Sequence, residues 1–126
     1  MLSGAVNHLH IVMNDPVFHP ESDYEAVLLV NISTVKPNNR FDDACLIEPG
    51  EHPFVKVQSH VCYADAVIKS AEDLTQFVAI GEIIPKDDVS EVIYDRVLAG
   101  FGISRRVTPK IKRFVKQHLL SERDGS

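Results

Sequence analysis

Histidines are the side chains in this sequence with the clearest potential for chemistry. Six are present, and five of them lie within the first 60 residues: His8, His10, His19, His52 and His60. Cleavage of RNA without a metal needs a base for the 2′-hydroxyl proton, an acid for the leaving oxygen and a cation for the pentacoordinate phosphate. Histidine titrates in the range that both proton transfers require, and lysine or arginine supplies the cation. The residue types therefore indicate acid–base chemistry on a phosphodiester.

The spacing of the histidines defines two candidate groups. His52 and His60, with Lys56 between them, supply an acid, a base and a cation within nine residues. His8 and His10 share one face of a strand, because successive side chains of a strand alternate between its faces. For any one of these histidines the competing interpretation is structural. His52, for example, is well placed to hydrogen-bond the turn at Pro49–Gly50.

Two other kinds of site find weaker support in the sequence. His8 and His10 at i and i+2 of a strand would hold a metal ion if a third ligand, such as Asp15 or His52, joined them. The two cysteines, Cys45 and Cys62, form no CxxC pair and sit in apolar stretches, which predicts reduced and buried thiols. The sequence has no glycine-rich phosphate loop, zinc-finger spacing or nucleotide fingerprint.

Charge is distributed unevenly along the chain, whose net charge is −5. Residues 1–60 and residues 61–104 each contain eight acidic and three basic side chains, whereas residues 105–126 contain two acidic and seven basic ones. The two acidic parts therefore carry −5 each and the last part carries +5. Such asymmetry is typical of an acidic body with a basic element for a polyanion, although a solvated helix face explains it equally well.

Length and composition predict one soluble globular domain over residues 1–126. With 44% hydrophobic and 25% charged residues, the chain can bury a core without disulfides or metals. No apolar run approaches the roughly 20 residues of a membrane helix, and residues 1–12 lack the pattern of a signal peptide. We therefore expect a cytoplasmic protein that does not contact membranes.

Short apolar stretches separated by turns predict a β-rich region over residues 1–84. The strands are expected at 8–13, 26–32, 45–47, 54–57 and 60–63, with the continuous apolar run 26–32 as the central strand. Residues 14–25 are polar with two prolines and are expected to form an exposed loop. Residues 67–68 are expected either to continue a strand or to precede a short helical turn, and residues 75–81 to add a last strand. Strands of this length and spacing suggest a small barrel.

Two helices are predicted after this β region, over residues 85–104 and 105–126. The first has Asp87 or Asp88 as its cap and an apolar stripe of Val89, Val92, Ile93 and Val97, and it is expected to stop at Gly100 and Gly102. The second begins with Thr108 as N-cap and Pro109 at its first position. Its apolar face comprises Ile111, Phe114, Val115, His118 and Leu119. Its basic residues lie largely off that face.

The order of these elements resembles the PemK/MazF-like group of toxin–antitoxin ribonucleases. The residues that carry the resemblance are 8–15 (HLHIVMND), 27–34 (VLLVNIST), 45–63 (CLIEPGEHPFVKVQSHVCY) and Gly81 with the helix up to Ser104. It implies a mainly β fold with α, a small SH3-like barrel followed by C-terminal helices. It also implies a metal-independent endoribonuclease or RNA-binding toxin without cofactors, a homodimer, and an antitoxin-like protein partner.

One departure from the group's pattern concerns its catalytic cation. The group's first strand follows a glycine-rich loop and opens with Arg-Pro, whereas this chain reads Asn7-His8-Leu9. The group's catalytic hydroxyl falls on Ser33, so His8 or His10 would have to replace the arginine. The predicted catalytic set is His8, His10, Ser33, His52 and His60. The predicted RNA-binding set is Lys56, Arg105, Arg106, Lys110, Lys112, Arg113 and Lys116.

The absent Arg-Pro also favours a second hypothesis, a non-catalytic module on the same barrel. Such a module would bind a protein partner or a second copy of the chain through the barrel edge or the C-terminal helix. The histidine-ligated metal protein is the third hypothesis.

Overall fold

The computed structural model of the chain describes residues 2–3, 9–38, 40–79, 83–84 and 89–120. His8 of the predicted catalytic set lies outside these residues, as do the proposed helix caps Asp87 and Asp88.

The strands of the described structure form one antiparallel sheet. Its strands are β1 (Leu2–Ser3), β2 (Leu9–Val12), β3 (Val17–His19), β4 (Tyr24–Thr34), β5 (Leu46–Ile47), β6 (Ser59–Ser70) and β7 (Ile83–Ile84). The strands lie in the order β5-β6-β4-β2-β1-β7, and β3 pairs with the first residues of β4. The sheet curves into a half-barrel, so the prediction of a mainly β fold with C-terminal helices is confirmed.

The long strand β4 organises the sheet because it pairs with β2, β3 and β6. Its residues 26–32 are all buried, as expected for a continuous apolar run at the centre of a sheet. A register shift separates the pairs Leu29–Val67 and Asn31–Cys62, so β6 has three more residues than β4 over this interval. Irregularities of this kind bend a strand and increase its twist.

The two faces of β4 have different surroundings. Leu28, Val30 and Ile32 belong to the hydrophobic core, and we call their side of the sheet the inner face. Residues 27, 29, 31 and 33 alternate with them and therefore lie on the outer face. Helix α1 (Ala71–Ala79) follows β6 directly and packs against β4 and β6.

Two further helical segments cover the inner face. Helix α2 (Glu91–Ile103) contributes Ile93, Val97 and Phe101 to the core. Helix α3 (Pro109–Phe114) begins at the predicted N-cap Thr108, whose hydroxyl accepts the N–H of Ile111, and continues as a π-helical segment (Val115–Leu120). Its predicted apolar face is confirmed, because residues 111, 114, 115 and 119 are buried and residue 118 is half-buried.

Residues 70–79 and 17–19 differ from the sequence-based expectations. The strand predicted at 75–81 is wrong as far as residue 79, because residues 71–79 form helix α1. The Ser70 hydroxyl accepts the N–H of Asp73 at the start of that helix. This local cap favours a helix, although the apolar residues at 77–79 suggested a strand. Within the loop predicted at 14–25, Val17–His19 is paired with β4 as a strand.

The predicted helix over 85–104 differs from α2 in three details. Its N-cap is Ser90, whose side chain accepts the N–H of Ile93. Val92, placed on the predicted apolar stripe, is 69% exposed. The helix continues through Gly100 and Gly102 to Ile103 and ends at Ser104, because Gly100 packs against a core side chain instead of turning the chain.

The strand predicted at residues 54–57 is wrong, because these residues lie in the connection between β5 and β6.

Candidate functional site

Five polar side chains from three neighbouring strands share one area of the outer face. His10 on β2 pairs with Asn31 on β4, and Asn31 pairs with Cys62 on β6. Ser33 on β4 pairs with His60 on β6, and this pair is two residues away from the Asn31–Cys62 pair on each strand. Paired residues lie on the same face of a sheet, and so do residues two apart on one strand. We call this group the outer-face patch: His10, Asn31, Ser33, His60 and Cys62.

The patch is partly open to solvent. Asn31 is buried, whereas the other four residues are half-buried. Two strand spacings and one two-residue step separate the Cα atoms of His10 and His60 by about 12 Å. On β4, which lies between β2 and β6, Asn31 is opposite His10 and Ser33 is opposite His60.

Cys62 is the member of the patch whose ionisation is clearly perturbed. Burial raises the pKa of its thiol, and hydrogen bonds from Ser33 and Asn31 partly offset this effect. The Cys62 sulfur also lies 3.9 Å from Nδ1 of His60. Because the thiol stays protonated at neutral pH, it is a poor nucleophile. Cys45, which is buried, also has a raised thiol pKa because of desolvation.

The loop before β5 places an aromatic ring and a buried carboxylate beside the patch. The ring of Phe41 lies 5.3 Å from that of His60, at an angle of 43°. The next residue, Asp42, is buried; it accepts the N–H of Ala44 at 3.1 Å and a short hydrogen bond from the Ser104 hydroxyl at the end of α2. Asp42 therefore ties the loop that carries Phe41 to the start of the basic C-terminal segment.

Three exposed arginines adjoin in sequence the residues that join this loop to α2. Arg40 immediately precedes Phe41, and Arg105 and Arg106 immediately follow Ser104. The Ser104 hydroxyl accepts the N–H of Arg106 at 3.1 Å, which fixes the backbone of the second arginine. The outer-face patch itself contains no lysine or arginine.

Replacing Asp42 with alanine tests the connection between the loop and α2. We expect the free energy of unfolding to fall by about 1–3 kcal/mol, because two donors lose their buried acceptor. Urea unfolding measures this loss. The matched control is Asp43→Ala, whose exposed carboxylate should change the stability by less than about 0.5 kcal/mol. Equal effects of the two substitutions would contradict the role assigned to Asp42.

Four other cations of the predicted RNA-binding set lie on the other side of the sheet. Helix α3 packs its apolar face into the core beneath the inner face. Its basic side chains, together with that of the π-helical segment, are exposed and point away from the sheet: Lys110, Lys112, Arg113 and Lys116. Arg113 is paired with Glu21 at 3.0 Å. The sheet itself therefore separates these four residues from the outer-face patch.

His52 and Lys56 lie in the long connection between β5 and β6. Lys56 is exposed, whereas His52 is buried and its Nδ1 accepts the N–H of Phe54 at 3.2 Å. A salt bridge of 2.6 Å between Arg96 of α2 and Glu51 attaches this connection to the inner layer, and it lowers the pKa of Glu51. His52 therefore contributes to a turn, but the hydrogen bond joins it to Phe54 and not to the predicted turn at Pro49–Gly50.

Sequence reasoning found part of this site. His10, Ser33 and His60 were among the predicted residues, and the register brings these three together. Asn31 was missed, although its position two residues before Ser33 on a strand was a readable signal. Nothing in the local sequence indicated Phe41, because its contact with His60 depends on the path of a loop.

No metal cluster or membrane helix is found in the part of the chain that the structure describes. Within those residues, no three His, Cys, Asp or Glu side chains are arranged to hold a metal ion. Of the described helices, none is both long and apolar enough to cross a membrane. Comparison with protein-family models, with curated proteins and with solved structures gives no significant match to this chain.

Proposed function

We propose that this protein is a metal-independent endoribonuclease of the PemK/MazF-like kind that uses the outer-face patch as its active site. The observation that carries the proposal is the strand register that sets His10 beside Asn31 and His60 beside Ser33 on one face of the sheet. Two imidazoles and a hydroxyl on the same face provide the base, the acid and a hydrogen-bond donor that phosphodiester transesterification needs.

In this mechanism the residues of the patch have distinct roles. One imidazole removes the proton from the ribose 2′-hydroxyl, whose oxygen attacks the phosphorus. The other donates a proton to the 5′-oxygen as the P–O bond breaks, leaving a 2′,3′-cyclic phosphate and a free 5′-hydroxyl. The Ser33 hydroxyl and the Asn31 amide donate hydrogen bonds to the phosphate oxygens as negative charge accumulates there.

Three arginines supply the electrostatic attraction. Arg40, Arg105 and Arg106 are exposed and adjoin in sequence the residues that join the loop of Phe41 to α2, on a chain whose net charge is −5. A polyanion is therefore drawn to these arginines, and binding should weaken as salt rises because counterions are released from the RNA. Phe41 offers an aromatic surface on which a base can stack. The basic residues of α3 have no part in this assignment.

Incubation of the full chain with a long RNA in EDTA tests the proposal. We expect fragments that end in 2′,3′-cyclic phosphates at neutral pH. The control is His10→Gln/His60→Gln, purified in parallel, which should leave the RNA intact and so excludes a contaminating nuclease. Intact RNA with the wild-type chain, or equal cleavage by both proteins, would overturn the enzymatic proposal. Intact RNA would favour the non-catalytic module that binds a protein partner.

A further inference from the structure

A second pair of histidines lies away from the outer-face patch, where the C-terminal segment meets β3. His19, the last residue of β3, is completely buried, and His118 lies in the π-helical segment. Nδ1 of His19 and Nε2 of His118 are 3.1 Å apart, within hydrogen-bonding distance. The ring of Phe114 packs on both imidazoles, with centroid distances of 4.9 and 4.7 Å. We call His19 and His118 the histidine clasp.

The hydrogen bond of the clasp depends on the number of protons that the two rings carry. When both rings are neutral, one nitrogen donates and the other accepts. One added proton is tolerated, because the charged ring still donates to the neutral one. With a second proton both facing nitrogens become donors, and two positive charges lie about 3 Å apart beside an aromatic ring. The doubly protonated clasp therefore cannot keep this geometry.

The charged groups around the clasp do not relieve the repulsion in its doubly protonated form. Oε2 of Glu21 lies 3.8 Å from Nε2 of His19, the buried nitrogen that has no hydrogen-bond partner. Glu21 also accepts a hydrogen bond from Arg113 and is influenced by Lys110, so its negative charge is shared with two cations. From β4, Tyr24 pairs with His19, and the neighbouring Glu25 is exposed.

We propose that the histidine clasp is a pH-sensitive fastening that holds the π-helical segment Val115–Leu120 against β3 at neutral pH and releases it under mildly acidic conditions. The segment attaches to β3 through a bond that requires at least one neutral imidazole. Helical segments with the wider π spacing are frequent at functional sites, where local geometry is more important than regularity. The released segment carries Lys116, and protonation adds further positive charge to it.

The direction of the pH effect follows from the ionisation of His118. Burial and the neighbouring His19 lower the pKa of His118 below its usual 6.5. In the released state this imidazole takes up a proton at a higher pH than in the fastened state. The clasp therefore stabilises the π-helical segment fully well above pH 6.5. This stabilisation decreases as the pH falls below that value and is smallest once the pH is below the lowered pKa of His118.

Hydrogen exchange of the intact protein between pH 7.5 and pH 5.0 tests the clasp. We expect the protection factors of amides 115–120, corrected for intrinsic exchange, to fall as the pH is lowered, because the released state binds the proton of His118 more tightly than the fastened state does. In His118→Gln, which keeps a polar group but cannot titrate, the same amides should show little change with pH. His60→Gln is the matched control and should keep the wild-type pH response.

Two results would overturn the proposal. One is protection of residues 115–120 that is independent of pH in the wild-type protein, and the other is an unchanged pH response in His118→Gln. If that variant does not fold, NMR titration of the two imidazoles in the wild-type protein decides instead. The clasp requires two well-separated protonation steps, so a single shared step near pH 6.5 would contradict it. None of these measurements depends on ribonuclease activity.

Discussion

Substitution of His60 by glutamine is expected to slow RNA cleavage by about 10²–10⁴-fold, the range that one general acid or base contributes. Glutamine keeps a polar side chain beside Ser33 and Phe41 but cannot transfer a proton. Because His60 is half-buried on the outer face and not in the core, the free energy of unfolding should stay within about 1 kcal/mol of the wild type. Cleavage rates measured together with urea unfolding separate the two effects.

His52→Asn is the matched control for this experiment. The asparagine carbonyl oxygen can replace Nδ1 of His52 as the acceptor for the N–H of Phe54, so the turn should be retained. Asparagine cannot act as an acid or a base, so His52→Asn distinguishes a catalytic from a structural histidine. We expect its cleavage rate to remain within about threefold of wild type, a difference of less than 1 kcal/mol in the barrier. A loss as large as that of His60→Gln would move the active site towards the β5–β6 connection.

The central strand and its faces were readable from the sequence. The apolar run 26–32 predicted the doubly buried strand, and alternation along it places residues 31 and 33 on one face. The pairing of Ser33 with His60 was not readable, because it depends on the register shift between Leu29 and Asn31. An irregularity of this kind is set by how the sheet bends over the core, which no short stretch of sequence specifies.

Contacts between distant parts of the chain could not be predicted from the sequence either. His19 and His118 are 99 residues apart, and neither stands in a recognisable motif. The charge pattern identified the basic C-terminal segment. Thr108 as the N-cap correctly predicted where α3 begins. The sequence did not show that the exposed charges of α3 lie opposite the outer-face patch. That arrangement follows from the burial of Ile111 and Phe114 against the inner face.

Gly100→Ala is expected to lower the free energy of unfolding by about 2–6 kcal/mol. A Cβ atom at position 100 would lie 1.8 Å from the Tyr63 hydroxyl oxygen. The Tyr63 side chain is completely buried, and its hydroxyl donates to the carbonyl of Val97 at 2.7 Å. Overpacking costs about 1–3 kcal/mol, and displacing the ring leaves the buried Tyr63 hydroxyl without its acceptor, at a further cost of about 1–3 kcal/mol.

Gly102→Ala provides the matched control within the same helix. A Cβ atom at position 102 meets no other atom within 4 Å, so the substitution should stabilise the helix by about 0.5–1 kcal/mol. Urea unfolding of the two variants should therefore shift in opposite directions. Similar shifts would mean that Tyr63 can move away from α2 at little cost. Opposite shifts would establish that close approach of α2 to β6, and not termination of the helix, is the structural role of Gly100.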